Sequence, residues 1–562
     1  MAGSDSSLLP PQPYNTVYGA VDYLGQAASR SSTGRWKSAL FIIGVEVAER
    51  FAYYGIASNL ITYLTGPLGQ STALAAENVN AWGGAASLLP LLGALVADSY
   101  LGRYRTIIVA SLLYILGLGL LTLSAFLTSL STTICESEVV LFFASLYLVA
   151  IAQGGHKPCV QAFGADQFDA DDPIESKEKS SFFNWWYFGL CGGATVTMLI
   201  VVYIQDNLNW SLGFGIPCIA MVVALAVFLI GTRTYRFSAR RAGRKSPFLR
   251  IGQVFISAIR NWRSTASSMA VQEEEEEEAH GLLLQPSYDQ FKFLNKALLA
   301  PDDSKVNATA CTVSEVEEAK STLRLVPIWF TSLVFAIVAA QTSTFFTKQG
   351  ATMDRKLFFG FKIPAASLQV FTGLAIVTIV PIYDQVFVPI VRLLTHKPSG
   401  ITTLQRIGIG IFLSILCIIT AALVEIKRLE TARALGLVDL PDATIPMSIW
   451  WLVPQYLIFG IAQVFTMVGL QEFFYDQVPD ELKSIGLALY LSVLGVGSLL
   501  SSILVSIIEK VTSCNGGAGW FSDNLNKAHL DYFYWLLGGL STISLAAFSY
   551  FSRSYIYRRR TT

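Results

Sequence analysis

Apolar residues fall into twelve runs, each long enough to cross a bilayer as a helix, which takes roughly 20 mostly apolar residues. Six lie near 40–64, 79–97, 106–128, 139–161, 183–204 and 212–231, and six near 323–346, 366–388, 404–424, 447–470, 484–508 and 532–552. The pattern predicts twelve transmembrane helices, with eleven or thirteen as alternative counts. A polar stretch from 232 to 321 separates the two sets, and residues 1–37 are rich in Ser, Pro and Gly, so part of that tail is expected to be disordered. The chain thus divides into an N-terminal tail 1–37, a six-helix bundle 38–231, a linker 232–321, a second six-helix bundle 322–552 and a basic tail 553–562. The first 37 residues are polar and the first apolar run has full span length, so no cleavable signal peptide is expected.

Lysine and arginine placement sets the orientation, because cytosolic loops carry their excess. The loops after segments 1, 3 and 5 hold none. The opposite side holds Arg30, Arg35 and Lys37, then Arg103 and Arg105, then Arg233, Arg236, Arg240, Arg241, Arg244 and Lys245; the final tail holds Arg553 and Arg558 to Arg560. Both termini and the linker are therefore expected in the cytosol, although Lys348, Arg355, Lys356 and Lys362 fall on the other side. Six plus six spans with a long cytosolic linker is the plan of the major facilitator superfamily, whose halves are related by an axis along the membrane normal and hold the binding site between them at mid-depth. An internal echo supports it. Gly93 to Asp98 closes segment 2 with Gly102-Arg103-Tyr104-Arg105 behind it, and Tyr383-Asp384 closes segment 8 with Arg392 nearby. The Asp98–Arg103 pair resembles the superfamily's cytosolic gate latch; a hydrated helix end is the alternative for Asp98. The expected fold class is an all-α membrane protein with the major facilitator fold, twelve transmembrane helices in two six-helix bundles.

Composition agrees: 53% of the 562 residues are hydrophobic and 14% charged, against about 25% charged in soluble domains. Lys plus Arg and Asp plus Glu are both 40, so the net charge of zero gives no case for nucleic acid. The seven cysteines (135, 159, 191, 218, 311, 417 and 514) and four histidines are dispersed, which offers neither a metal site nor a disulfide framework, and no cofactor is expected.

One stretch stands out chemically. Glu46, Glu49 and Arg50 lie inside the first apolar run. At i, i+3 and i+4 they share one helix face. Charges at that depth cost on the order of 2.5–3.5 kcal/mol each unless they pair or face a cavity. One arginine neutralises only one of two glutamates; the other needs a proton or a further cation. That imbalance points to proton coupling, with an internal ion cluster that merely pins helices as the alternative. Lys157, among Gly154, Gly155 and Pro158 in segment 4, must likewise find a carboxylate or a cavity, or else snorkel to the cytosolic edge. Tyr54 shares the face of Glu46 and Arg50 and either lines a cavity or packs in the core.

In the linker, residues Phe248 to Arg260 carry apolar positions at helical spacing with basic ends and predict an amphipathic helix on the membrane surface. Glu273 to Glu278 is read as a solvated acidic run. Glu278-Ala279-His280-Gly281-Leu282-Leu283 resembles an acidic dileucine sorting signal, a contact for a sorting adaptor. Asn307-Ala308-Thr309 fits the glycosylation pattern, which a cytosolic loop would not use.

Glu46 to Arg50, continued by Phe51-Ala52-Tyr53-Tyr54-Gly55, then Gly154-Gly155-His156-Lys157-Pro158, Phe163-Gly164-Ala165-Asp166-Gln167-Phe168, Gln405-Arg406-Ile407-Gly408, Pro454-Gln455-Tyr456 and Gln471 to Tyr475, resemble the plant nitrate/peptide transporter family. That family is the plant branch of the proton-coupled oligopeptide transporters. Order and spacing hold over nearly the whole chain. The resemblance implies that Glu46, Glu49 and Arg50 take part in proton coupling, and that Lys157 pairs with them and responds to an anionic substrate. Departures bear on the substrate. Gln463 stands where peptide-transporting relatives have a glutamate for the peptide amino terminus, and a neutral amide cannot make that ion pair. Ala339 stands where some nitrate carriers of the family have a histidine, and the aromatic pair followed by Asn-x-Gly of peptide carriers reads Trp185-Trp186-Tyr187-Phe188-Gly189. Gln341 and Gln463 either hydrogen-bond a substrate or join helices. Thr106 sits where a relative has a regulatory phosphothreonine, a contact for a kinase.

The expected function is a proton-coupled symporter working by alternating access on a small anion, nitrate first, then other organic anions including hormones, and short peptides last. The rivals are a proton-independent facilitator and a nutrient sensor signalling through the linker. No nucleophile–base pair, metal cluster or phosphate loop supports an enzyme. The vacuolar membrane is favoured over the plasma membrane.

Overall fold

The computed structural model describes residues 16–131, 135–169, 172–238, 247–261, 291–298, 311–356, 362–387, 389–390, 393, 401–441, 443–478, 483–513 and 519–555. Eleven helical rods among them are long and apolar enough to cross a membrane. Helix α1 (Arg35–Ala57) is a further rod of 23 residues, about 34 Å at 1.5 Å per residue. Its length suits a span; Glu46, Glu49 and Arg50 set its composition apart.

Two compact units emerge. The first takes residues 1–241 together with Ser343–Val370; the second takes Ala242–Thr342 and Phe371–Thr562. The first unit contains α1, α2 (Leu60–Thr65), α3 (Thr72–Val96), α4 (Arg103–Leu130), α5 (Glu136–Ala165), α6 (Pro173–Val196), α7 (Val202–Asn207) and α8 (Trp210–Ile230). Asp172 caps α6, accepting from the Ile174 and Glu175 amides at 2.8 and 3.0 Å with Pro173 at the first helical position. The Glu175 N–H, with Ile174 N–H and Arg30 behind it, holds the Asp172 carboxyl below its ordinary range. Helices α3 and α5 approach so closely that a Cβ on Gly93 would lie 2.0 Å from the Gly154 carbonyl oxygen. This contact fixes α5, and with it Lys157, against α3. The core around Ile42, Val45, Ile107, Val160, Phe163 and Phe182 is aromatic and aliphatic.

Part of the tail is ordered. Strand β1 (Thr16–Val21) pairs antiparallel with β2 (Ala27–Ser29) and with β3 (Phe237–Ser238), and α1 begins at Arg35, inside the stretch assigned to the tail. Residues 1–15 lie outside the described ones.

In the second unit, α9 (Pro247–Arg260) packs Ile251, Val254 and Ala258 inward on α10 (Val313–Leu323) and a 3-10 turn at Lys292–Leu298. Ile256 and Ile259 stay exposed. The amphipathic stripe therefore serves protein packing first. The acidic run, the dileucine stretch and Asn307 lie outside the described residues. Helix α10 opens with a Thr312–Glu315 capping box and leads into α11 (Val326–Ala340).

The apolar run 323–346 is not one helix. Helix α11 ends at Ala340, and Phe345–Ala351 (α12) belongs to the first unit. There Lys348 Nζ meets Thr65 Oγ1 at 3.1 Å, Arg355 meets Asp206 at 3.6 Å, and Gln369 donates to Ser58 O at 2.9 Å. Two of the basic residues that disturbed the charge pattern thus have polar partners. The second unit continues with α13 (Val370–Ile382), α14 (Thr403–Ala434), α15 (Val453–Gln463), α16 (Gly469–Asp476), α17 (Lys483–Ser513) and α18 (Leu530–Arg553). Segments 2 and 8 both close in a π turn, at Ala97–Leu101 and Tyr383–Phe387, where the sequence echo falls.

Candidate functional site

Helix α1 brings Glu46, Glu49 and Arg50 together on its buried face, with 2%, 0% and 3% of their surface exposed. Arg50 Nε lies 3.2 Å from Glu46 Oε1 and 2.5 Å from Glu49 Oε2, and Nη2 is in ion contact with Glu49. The arginine is shared, as the charge count requires. Glu46 Oε2 has no hydrogen-bond partner among the described residues. The cluster is dry, crowded and incompletely satisfied, which is costly in a low dielectric.

Lys157 lies on α5, half-buried, with Arg50, Glu49 and Glu46 as its charge neighbours. No ion pair within 4 Å forms between Lys157 and a described residue, so the pairing implied by resemblance is absent in this conformation. The reason is visible in the geometry: Arg50 already takes both carboxylates. Tyr54 is half-buried on the same helix and meets Tyr53 edge-on at 5.3 Å.

Three residues around the cluster escaped the sequence reading. Tyr53, not Tyr54, carries Arg50 over its ring at 5.5 Å and stacks on Trp82. Tyr114 of α4 donates to Glu49 Oε1 at 3.5 Å. His156, beside Lys157, is fully buried against Tyr114. Tyr53 follows Arg50 by three residues and could have been found from helical spacing. Tyr114 comes from another helix and left no local signal.

In the second unit, Gln341 is buried and its Nε2 donates to Ile337 O at 2.8 Å and Ser501 Oγ at 3.1 Å, which ties the end of α11 to α17. Of its two readings, helix joining accounts for those bonds. Gln463 differs. It ends α15 just before a π turn at Val464–Val468, is half-buried, and its amide makes no hydrogen bond to a described residue. Its amide remains available to a ligand.

Arg103 donates to Asp166 Oδ2 at 2.6 Å, a partner in the Phe163–Phe168 motif that the gate reading did not assign. The side chain of Asp98 lies outside the described residues, as does Arg392. The same motif builds a clasp. Gln167 accepts from Arg236 N at 2.8 Å and donates to Arg236 O at 3.1 Å; Arg236 in turn grips Glu175 at 2.6 Å, and Arg30 holds Asp169 and Asp172 at 2.5 and 2.7 Å. Gly34, at φ 76°, lets the chain pass so close to Arg236 that a Cβ would sit 2.2 Å from its Nε. Thr106 is buried, its hydroxyl donating to Gly102 O at 3.0 Å, and so is not presented to a kinase here.

The sequence profile of the POT family, PTR2, matches residues 104–521. The chain belongs to the POT family. It is 64% identical over 549 residues to Protein NRT1/PTR FAMILY 5.10 of Arabidopsis thaliana, covering 96% of this chain and 97% of that protein, and 60% identical over 548 residues to Protein NRT1/PTR FAMILY 5.14 of the same plant, covering 97% of each. Its fold matches an auto-inhibited POT family peptide transporter with a TM-score of 0.71 and 22% identity, covering 93% of this chain and 98% of that one. This POT family member is a multi-pass integral membrane protein with the major facilitator fold. It is a transporter of a proton-coupled family and not an enzyme.

Proposed function

We propose that the chain is a proton-driven symporter of a small anionic solute, with nitrate as the first candidate, working by alternating access. The observation that carries this reading is a charge count. Glu46 and Glu49 share Arg50, while Lys157 stands beside them without an ion pair to a described residue. Two carboxylates and two cations balance; one added proton and one added anion balance again. Protonation of a carboxylate would loosen Arg50 and leave positive charge, on Arg50 and Lys157, to receive the anion. Both ligands would then leave together on the far side. Proton and substrate must each change the other's affinity by the same factor.

Gln463 supports an anion over a peptide, because its neutral amide cannot pair with a peptide ammonium. Other organic anions follow nitrate as candidates. Both termini are placed in the cytosol and the vacuolar membrane is favoured over the plasma membrane, as the charge pattern and linker motif suggest.

Labelled nitrate uptake into proteoliposomes, with and without an inward proton gradient and in parallel with a labelled dipeptide, tests the reading. Gradient-dependent nitrate accumulation should appear and be abolished by Lys157→Ala or Glu49→Gln. Uphill accumulation that survives either substitution would overturn the scheme; accumulation of the dipeptide instead would overturn the anion.

A further inference from the structure

Beside the charge cluster the fold buries an imidazole that the scheme above does not use. His156 is 0% exposed, and neither Nδ1 nor Nε2 has a hydrogen-bond partner among the described residues. A histidine placed for structure spends its ring N–H on a carbonyl, hydroxyl or carboxylate, because an unpaired buried polar group is costly. This one spends neither nitrogen.

What surrounds it is chemical. From α1, Glu49 and Arg50 are the charged groups whose fields reach it. From α4, Tyr114 meets the imidazole edge-on, with ring centroids 6.4 Å apart and planes at 74°, and the same phenol donates to Glu49 Oε1 at 3.5 Å. Helix α3 packs on α5 at Gly154 and offers no titratable residue from Trp82 to Val96. On α5 itself, Lys157 is adjacent, and Gln153, nearly one turn earlier, also has a buried Oε1 without a partner among the described residues. One phenol thus links the two side chains: Tyr114 packs its ring against the imidazole and donates its hydroxyl to Glu49.

We propose that His156 is a third proton-exchanging group of the coupling cluster, taking up the proton that Glu49 releases and returning it. This rests on the proton-coupled reading above. The carboxyl O–H of Glu49 breaks, an N–H forms on the imidazole, and carboxylate and imidazolium remain. A relay through Tyr114 requires its hydroxyl to turn from Glu49 Oε1 to the imidazole; it then gives up one proton, takes another and ends unchanged. The transfer leaves Glu49 free to pair fully with Arg50 while the proton stays inside the cluster. Coupling then has two proton positions, on the packed helices α1 and α5, instead of one.

The test is solid-state 15N NMR of the full chain in lipid bilayers, labelled at its four histidines, His156, His280, His396 and His529, from about pH 3 to pH 8, a range that reaches below the usual imidazole window. His156→Gln assigns the signal by its loss. A variant carrying His280→Gln, His396→Gln and His529→Gln assigns it by retention, so the assignment survives if His156→Gln does not fold. The expected result is an imidazole that passes from neutral to doubly protonated within this range. Glu49→Gln should move its midpoint by about half a pH unit or more, as removal of a neighbouring charge does, and Tyr114→Phe should alter it as well. A His156 signal that stays in one neutral tautomer throughout, with Glu49 present or replaced, would overturn the proposal. Proton-driven nitrate uptake separates the two ideas. If Glu49→Gln abolishes uptake while the imidazole stays silent, only this inference fails; if uphill uptake survives Glu49→Gln, the reading beneath it fails.

Discussion

Each unit buries an arginine–glutamate cluster on a single helix, and the two are built differently. In the second unit Arg428 and Glu425 are both 0% exposed, and the pair is bidentate, at 2.8 and 2.6 Å. The remaining donors of Arg428 reach Asn526 Oδ1 at 2.8 Å and Leu525 O at 2.7 Å. One cation meets one anion, and a side-chain amide and a backbone carbonyl finish the count. In the first unit Arg50 is divided between two glutamates, and one carboxylate oxygen of Glu46 goes without a hydrogen bond among the described residues. Equal burial therefore does not mean an equal role. The satisfied pair pins the end of α14 to the 525–526 turn. On the proposed scheme, the incompletely satisfied cluster takes a second arrangement when one proton arrives.

That difference predicts opposite mutational signatures. Arg428→Met strands Glu425 in a dry interior, and breaking such a pair costs about 3–5 kcal/mol. Little folded protein should be recovered, and the melting temperature in detergent should fall sharply. Adding Glu425→Leu to it should restore most of the loss, since an apolar replacement of a whole buried pair is roughly neutral. A single variant as stable as wild type would mean that the pair is not the staple its geometry describes.

Glu46→Gln should do the reverse. It removes the surplus carboxylate, leaves Arg50 paired with Glu49 and keeps the shape of the side chain. We expect stability equal to or above wild type, proton-driven uptake reduced at least tenfold, and substrate exchange at equal concentrations retained. Loss of stability on the scale of Arg428→Met would make the two clusters equivalent and remove the functional distinction between them.

The sequence disclosed the α1 charge cluster because its members lie within one turn and a half of one helix, where spacing alone decides which residues share a face. The twelve rods were legible for the same local reason. Contacts made across the fold were not. Tyr114 lies 65 residues from Glu49. The break in the run 323–346 was missed because Phe345 and Phe346 keep the stretch apolar, although Gln341-Thr342-Ser343-Thr344 marks the place. His156 stood in plain view inside Gly154 to Pro158, but a lone histidine carries no signal until its two empty nitrogens are seen. The Asp98–Arg103 pair was read from adjacency, and the side chain of Asp98 lies outside the described residues; the Arg103–Asp166 contact, across 63 positions, left no local signal.

The Gln167 amide of the clasp offers the mildest test of the contrast, because it is satisfied at both ends, although Arg236 Nε beside it is without a partner among the described residues. Gln167 has both ends of its amide engaged, with Arg236 N and O and with Phe163 O at 3.0 Å. Gln167→Ala leaves those buried backbone groups of Arg236 without their partner, which costs about 1–3 kcal/mol. Arg236 keeps Glu175, so the charge pairing survives and the loss should fall well short of that for Arg428→Met. If satisfied networks serve structure alone, the variant should melt a few degrees lower while its proton-driven uptake per folded molecule stays within twofold of wild type. A coupling defect at unchanged melting temperature would instead join the Phe163–Phe168 motif to the transport cycle and show that satisfaction of hydrogen bonds does not by itself separate frame from machinery.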